Sequence, residues 1–233
     1  MASSDKSMPM LSVIVPTLNE EKYIERCLKA IRNQRYENYE LIISDGNSLD
    51  RTVEISKKYT EKIIISPKRG IGIQQNIGAK NAKGNILIFV HADVVIKNAL
   101  FEKIAKAISE GYIGGGAEVE IEGTDFKYRL FNVFFRKLNN VLNRINIIAS
   151  GDVLFFKKDA FIKNEGFRDV FFEDGDLFFR ARKNGRIIQL DEKISVSNRR
   201  FKKDFWKTML KWIPLGLLIL LGRPRMLRYN AVR

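Results

Sequence analysis

Between Leu11 and Val90 the chain repeats one pattern: a short run rich in Ile and Val, a polar turn, then a segment whose apolar residues fall at helical spacing. LSVIVPTLNEE (Leu11 to Glu21) reads as a buried strand stopped by Pro16, a turn carrying Asn19 and Glu20, and a helix with Ile24, Leu28 and Ile31 on one face. YELIISDG (Tyr39 to Gly46) is a second strand, ending in Asp45, and GNSLD leads into a helix from about Arg51 to Tyr59. EKIIISP (Glu61 to Pro67) is a third short strand, RGIGIQQNIGAKNAKG supplies a turn and a small-residue helix, and NILIFVHADV (Asn85 to Val94) holds a fourth strand. Strands alternating with helices imply right-handed crossovers. The predicted fold class is α/β, a mainly parallel sheet flanked by helices, with acidic strand tips on one edge.

In such sheets ligands bind outside the carboxyl ends of the strands. The single histidine, His91, stands two residues before Asp93 at one such tip, and Asp45 stands at another. A carboxylate there is placed to ligate a divalent cation that carries a diphosphate. Gly70, Gly72 and Gly78 invite a dinucleotide-binding reading, but the fingerprint needs glycine where the chain has Gln75, and it follows the third strand rather than the first. An NAD site is therefore not expected, although Lys68 and Arg69 beside those glycines could meet phosphate.

SVIVPTLNEE, SDGNSLDRT, RGIGIQQNIGAKNAKG and HAD are followed by ASGDVLFFKKDAF (Ala149 to Phe161), NEGFRD (Asn164 to Asp169), FFEDGDLFFRARKNG (Phe171 to Gly185) and NRRF (Asn198 to Phe201). In this order the blocks resemble the inverting family-two glycosyltransferases, which have the Rossmann-like, nucleotide-sugar-binding GT-A fold. The branch that reads His-Ala-Asp where many members have Asp-x-Asp is the most similar. The resemblance spans roughly residues 11 to 201, and its strength lies in the ordered set.

The resemblance implies roles residue by residue. Pro16, Thr17, Asn19 and Glu20 match the loop around the nucleoside, and Asp45 the carboxylate that accepts a hydrogen bond from the base, as suits an N–H donor on uracil or guanine. Asp93 matches the metal-binding aspartate for Mg²⁺ or Mn²⁺. His91, counted with it as a metal or substrate ligand, is a softer donor better suited to Mn²⁺. Asp174 matches the catalytic base: an inverting transfer is a single displacement, so one carboxylate must take the acceptor proton. Glu173, Asp174 and Asp176 lie close enough in sequence to raise one another's pKa. Glu173 is expected at the acceptor and Asp176 as a helix cap. Gly151 and Asp152 are expected to line the acceptor side. Arg199 and Arg200 are expected at the diphosphate, where arginine suits bidentate contact, and Arg69 is counted with the substrate-binding residues from its place beside the glycines.

Composition bounds this picture. A chain of 233 residues with 45% apolar content can bury one substantial core. The expected division is a disordered polar leader over 1–10, a catalytic domain over 11–201, and a basic, apolar helical segment over 202–233. The one cysteine, Cys27, rules out an internal disulfide network and fits a reducing compartment or simple core packing. The net charge of +14 asks for a partner. From Arg199 to Arg233 ten Lys or Arg face one acid, Asp204, around WIPLGLLILLG (Trp212 to Gly222), which is too short to span a bilayer and suits a helix lying in an anionic interface. FKYRLFNVFFRKLNNVLNRINII (Phe126 to Ile148) has no acid and places Phe131, Phe135, Leu138, Leu142 and Ile145 along one face. The expected setting is the cytoplasmic face of a membrane, with a nucleotide-sugar donor and a glycan, lipid-linked or polyprenyl-phosphate acceptor. The rival readings are a sugar nucleotidyltransferase, which would carry a glycine-rich basic loop where PTLNEE stands, and a non-enzymatic basic module. The excess charge surrounds apolar helices rather than interleaving with aromatics, so nucleic acid is not an expected partner.

Overall fold

The computed structural model describes residues 9–144, 146, 148, 151–170 and 172–199. The leader up to residue 8, Arg200 and the segment 202–233 lie outside them. The elements run β1 (Leu11–Thr17), α1 (Ile24–Arg32), β2 (Tyr39–Asp45), α2 (Thr52–Ser56), β3 (Ile63–Ile65), α3 (Ile71–Lys80), β4 (Ile86–Val90), β5 (Val94–Val95), α4 (Leu100–Ser109), β6 (Gly114–Ile121), α5 (Phe126–Arg144), β7 (Val153–Lys157), α6 (Lys158–Lys163), α7 (Glu173–Ala181) and β8 (Ile187–Val196).

One sheet of eight strands has the order β3-β2-β1-β4-β7-β6-β8-β5. Its first four strands pair in parallel, as the strand–helix alternation requires. Beyond β4 the sheet is mixed: β7 runs antiparallel to both β4 and β6, whereas β6 and β8 are parallel. The first half is a series of crossovers, and the second half departs from that pattern where β7 returns directly beside β4.

Successive residues of a strand face opposite sides of the sheet, so β1 feeds two cores. Val13 and Val15 pack with Ile24, Leu28 and Ile31 of α1 and with Leu100 and Ile104 of α4. Ile14 packs on the other side with Phe89, Phe156, Leu177 and Phe178. Burying each such side chain stabilises the fold by about 1.5–3 kcal/mol. Cys27 belongs to the first core, where burial pushes its thiol pKa well up. Gly78 lets α3 lie against β1, since a Cβ there would come within 2.3 Å of Ile14 Cγ2.

The long helix α5 departs in part from its expected face. Phe131 and Leu142 are buried, and Phe135 stacks on Phe131 with ring centroids 4.9 Å apart, but Leu138 is exposed. Ile145 lies outside the described residues. Among those residues no helix is long and apolar enough to cross a membrane.

Candidate functional site

Register brings the sequence-predicted residues to one edge. Thr17 and Asp45 are paired across the ends of β1 and β2. Val90 pairs with Val153, so His91–Asp93 leave β4 beside Gly151 and Asp152 entering β7. His91 N donates to Asp152 O at 3.1 Å. β8 ends at the same edge, where Ser197 N donates to Asp93 O at 3.3 Å and delivers Arg199.

The turns after β1 and β2 are stitched together. Asp45 is fully buried; Oδ1 accepts from Thr17 Oγ1 at 2.7 Å and from Ser48 Oγ at 2.6 Å, and Oδ2 accepts from Ser48 N at 2.7 Å. A carboxylate offers about four acceptor positions, so one remains on Oδ2. Asn19, at φ 55°, receives Leu49 N on its side chain at 2.8 Å and gives its own N–H to Ser48 Oγ at 2.8 Å. Glu20 N donates to Thr52 Oγ1 at 2.7 Å. Pro16 is buried within β1. From below, buried Gln74 of α3 gives Nε2 to Thr17 O at 2.6 Å and to Ser44 O at 2.9 Å. Sequence reasoning missed Gln74, whose place in a small-residue helix gave no signal. Ser48 and Thr52 lay in a block read only for Asp45.

The acid at the β4 tip has a cation beside it. Asp93 is 7% exposed and neither of its side-chain oxygens accepts a hydrogen bond. Arg199 Nε lies 2.9 Å from its Oδ2, an ion pair by distance without hydrogen-bond alignment. The same guanidinium is bidentate to Glu20, at 2.5 and 2.7 Å, and sits 4.8 Å from the centroid of the Tyr23 ring. Burial works against the Arg199 charge, but Glu20 and Asp93 outweigh it and hold its pKa above the ordinary value. Tyr23 was likewise not anticipated.

Asp174 comes in from α7 and completes the cluster. A Cβ added at Gly151 would lie 2.0 Å from Asp174 Oδ2, so the carboxyl occupies the space that glycine leaves. Burial raises the Asp174 pKa; the Gly175 N–H and His91 oppose the rise, and Asp152 adds to it. Asp152 Oδ1 is itself 3.3 Å from His91 Nδ1. The raising charge is thus Asp152 across the sheet edge, and not the neighbouring acids of the same helix. Asp176 also corrects its expectation: it is buried and accepts from Arg180 Nε at 2.8 Å, while the cap position is Phe172, in the left-handed region at φ 61° with no side-chain cap bond. Glu173 is half-buried at the start of α7 and lines a small cleft with Gly72 and Phe167. Arg69 is exposed before α3 and makes no hydrogen bond or ion pair with the cluster among the described residues. Arg200 lies outside them.

Residues 12–164 match the family described as Glycosyl transferase family 2. The chain belongs to glycosyl transferase family 2. A Haemophilus influenzae protein named as an uncharacterized glycosyltransferase is 25% identical over 217 residues, covering 86% of each chain. A Campylobacter jejuni GalNAc(5)-diNAcBac-PP-undecaprenol beta-1,3-glucosyltransferase is 27% identical over 176 residues, 71% of this chain and 57% of that protein. Among solved structures, the mannosyltransferase PcManGT from Pyrobaculum calidifontis, in complex with GDP-Man and Mn2+, superposes with a TM-score of 0.67 at 21% identity, over 82% of this chain and 57% of that one. The fold is GT-A-like, and the protein is a glycosyltransferase.

Within this family 2 glycosyltransferase, the Asp93 carboxylate fits a divalent cation: its two oxygens are buried and accept no hydrogen bond, and its counter-charge is the Arg199 side chain. No group of three His, Cys, Asp or Glu able to hold a metal occurs among the described residues. That donor set fits a cation shared with phosphate oxygens better than one caged by protein.

Proposed function

We propose that this glycosyltransferase moves a sugar from a nucleoside-diphosphate donor to a lipid-linked acceptor at a membrane surface, with inversion at the anomeric carbon. The single observation that carries the mechanism is the Asp174 carboxyl, held in the space left by Gly151 with its pKa raised by burial. A carboxylate base is most effective when its pKa approaches the working pH. The acceptor hydroxyl attacks the anomeric carbon, its proton passes to Asp174, and the bond from that carbon to the diphosphate oxygen breaks, releasing the nucleoside diphosphate. His91 and Asp152, beside Asp174, shape the acceptor side.

Asp93, with His91 next to it, would hold Mn²⁺ or Mg²⁺ together with the donor's phosphates. When bound, the cation stabilises negative charge on the leaving diphosphate. Arg199, released from Asp93, is within the same cluster for bidentate contact with phosphate, and Arg200 follows it. The stitched turns of Asn19, Glu20 and Asp45 form the nucleoside side, where the remaining acceptor position on Asp45 Oδ2 takes a base N–H once the Ser48 turn opens. The lipid-linked acceptor rests on the Campylobacter relative, whose name carries an undecaprenol-linked glycan, and on the basic, apolar stretches of this chain.

Binding of UDP, GDP, CDP and ADP, each with and without Mn²⁺, beside an Asp93→Ala variant, tests the donor half. One nucleotide is expected to bind tightly only with metal, and the variant to lose it. Binding of none of the four, or metal-independent binding unchanged in Asp93→Ala, would sink the reading.

A further inference from the structure

Helix α5 carries a second apolar stripe on the side turned away from the protein. Phe126 is 77% exposed, Leu130 52%, Val133 43%, Phe134 62% and Val141 60%. They recur at intervals of three, four and seven residues, one helix face, opposite the face that buries Tyr128, Phe131, Asn139 and Leu142. A lone exposed apolar residue needs no explanation, but a contiguous patch along a helix of about 28 Å marks an interaction surface.

Charge selects the occupant. The 19 residues of α5 include no acid and five cations, of which Lys137 lies on the stripe itself and Arg144 at its end. Arg129, Val133 and Arg136 line a groove with Glu118, Glu120 and Glu122 along one flank, and exposed Asp125, paired with Lys127, precedes the helix, so acids border the stripe and none lies on it. A second copy of the chain meeting α5 by a two-fold axis would set this acid-free, cation-bearing stripe against an identical one. The chain beyond Arg199 has the same sign, with nine Lys or Arg and one acid through Arg233. An apolar stripe with cations set into and around it matches an interface of acyl chains and anionic headgroups.

We infer that the outer face of α5 rests on an anionic lipid surface. The helix is tied to the edge that holds the site. Asn132 brackets Ile121, receiving its N–H at 3.0 Å and donating to its carbonyl at 3.1 Å. Ile121 pairs with Val196, and Ser197 follows with its bond to Asp93 O. A bilayer under α5 therefore holds this edge near the plane in which a lipid-linked acceptor presents its glycan, a consequence that rests on the acceptor proposed above.

The test is co-sedimentation of the full chain with vesicles of phosphatidylcholine, with and without phosphatidylglycerol, across a salt series. It compares wild type, Leu130→Ser/Phe134→Ser, and the control Ile162→Ser, which removes an exposed apolar residue on α6. Binding is expected only with phosphatidylglycerol, weakening with salt, lost by about tenfold or more in the double variant and kept in the control. Equal binding by wild type and double variant overturns the inference, as does a wild-type dimer that the double variant dissolves. Nucleotide binding on the same samples separates the two proposals: vesicle binding through α5 without any nucleotide bound removes the transferase mechanism and leaves the surface. Nucleotide binding without vesicle binding removes the surface alone.

Discussion

Arg199 Nε stands 2.9 Å from Asp93 Oδ2, although the two residues belong to different strand ends of the sheet. The guanidinium supplies the positive charge that a buried carboxylate requires, in the place where a divalent cation would supply it. A metal held by Asp93, as proposed above, would compete with Arg199 for it. Arg199→Gln is expected to bind Mn²⁺ in the absence of nucleotide more tightly than wild type, by about tenfold, equivalent to about 1.4 kcal/mol. It should also lose turnover, since the proposed contact of the arginine with the diphosphate is then absent. Titration of free Mn²⁺ by electron paramagnetic resonance reads the first effect, and weaker Mn²⁺ binding by the variant would refute the competition.

Asp174→Asn is expected to lower turnover with a hydroxyl acceptor by about 10²–10⁴-fold, the range for a positioned general base. Transfer to a phosphate acceptor, whose oxygen is already a nucleophile, should fall far less. Equal severe losses with both acceptors would argue for a purely structural Asp174.

The pH dependence of the same residue has a definite sign. The folded state raises the Asp174 pKa above 3.8, so the native protein binds the proton more tightly than the unfolded chain. Its contribution therefore favours folding at pH below the unfolded value and is lost as pH rises through the folded one. At neutral pH Asp174→Asn, which removes a half-buried, partly desolvated charge, should melt at a higher temperature than wild type, and the gap should shrink below pH 4. For activity, wild-type kcat/KM should fall on the acid side with an apparent pKa above the ordinary carboxylate range. A melting temperature that drops in the variant at pH 7 would contradict the assignment.

Gly151→Ala places a methyl group 2.0 Å from Asp174 Oδ2, and the carboxyl must move. A displacement on the order of 1 Å at a reacting group lowers turnover by about 10²-fold. The expected outcome is a kcat loss of that order with metal-dependent nucleotide binding retained, because Gly151 is on the Asp174 side of the cluster. Nucleotide binding lost in parallel would place the effect elsewhere.

Gln74→Leu withdraws the donor shared by Thr17 O and Ser44 O. Thr17 O keeps its bond from Gly46 N at 2.8 Å, so the change removes side-chain hydrogen bonds worth about 0.5–1.5 kcal/mol each. Denaturant unfolding should show that loss, and nucleotide affinity should weaken as the two strand ends loosen. Unchanged stability would mean that water replaces the amide.

The local elements were legible in the sequence because strand and helix periodicities are short-range: the apolar runs ending at Asp45 and Val90 are parallel strands, the run expected to stop at Pro16 continues through it to Thr17, and Ile24, Leu28 and Ile31 are buried as their spacing predicts. The acids at strand tips were legible for the same reason, since a strand that ends at Val90 puts His91 and Asp93 just beyond it. What those residues touch was decided by tertiary structure. The bidentate pair of Arg199 with Glu20 joins positions 179 apart, and the fit of Asp174 against Gly151 joins α7 to the strand that returns beside β4. No local pattern encodes either, because both depend on sheet order and on β7 running antiparallel to its neighbours. The same holds for α5, an acid-free helix with apolar residues on both faces: its sequence allows either stripe to turn inward, and packing against β6 and β8 buried Phe131 and Leu142 and left Leu130 and Phe134 outside.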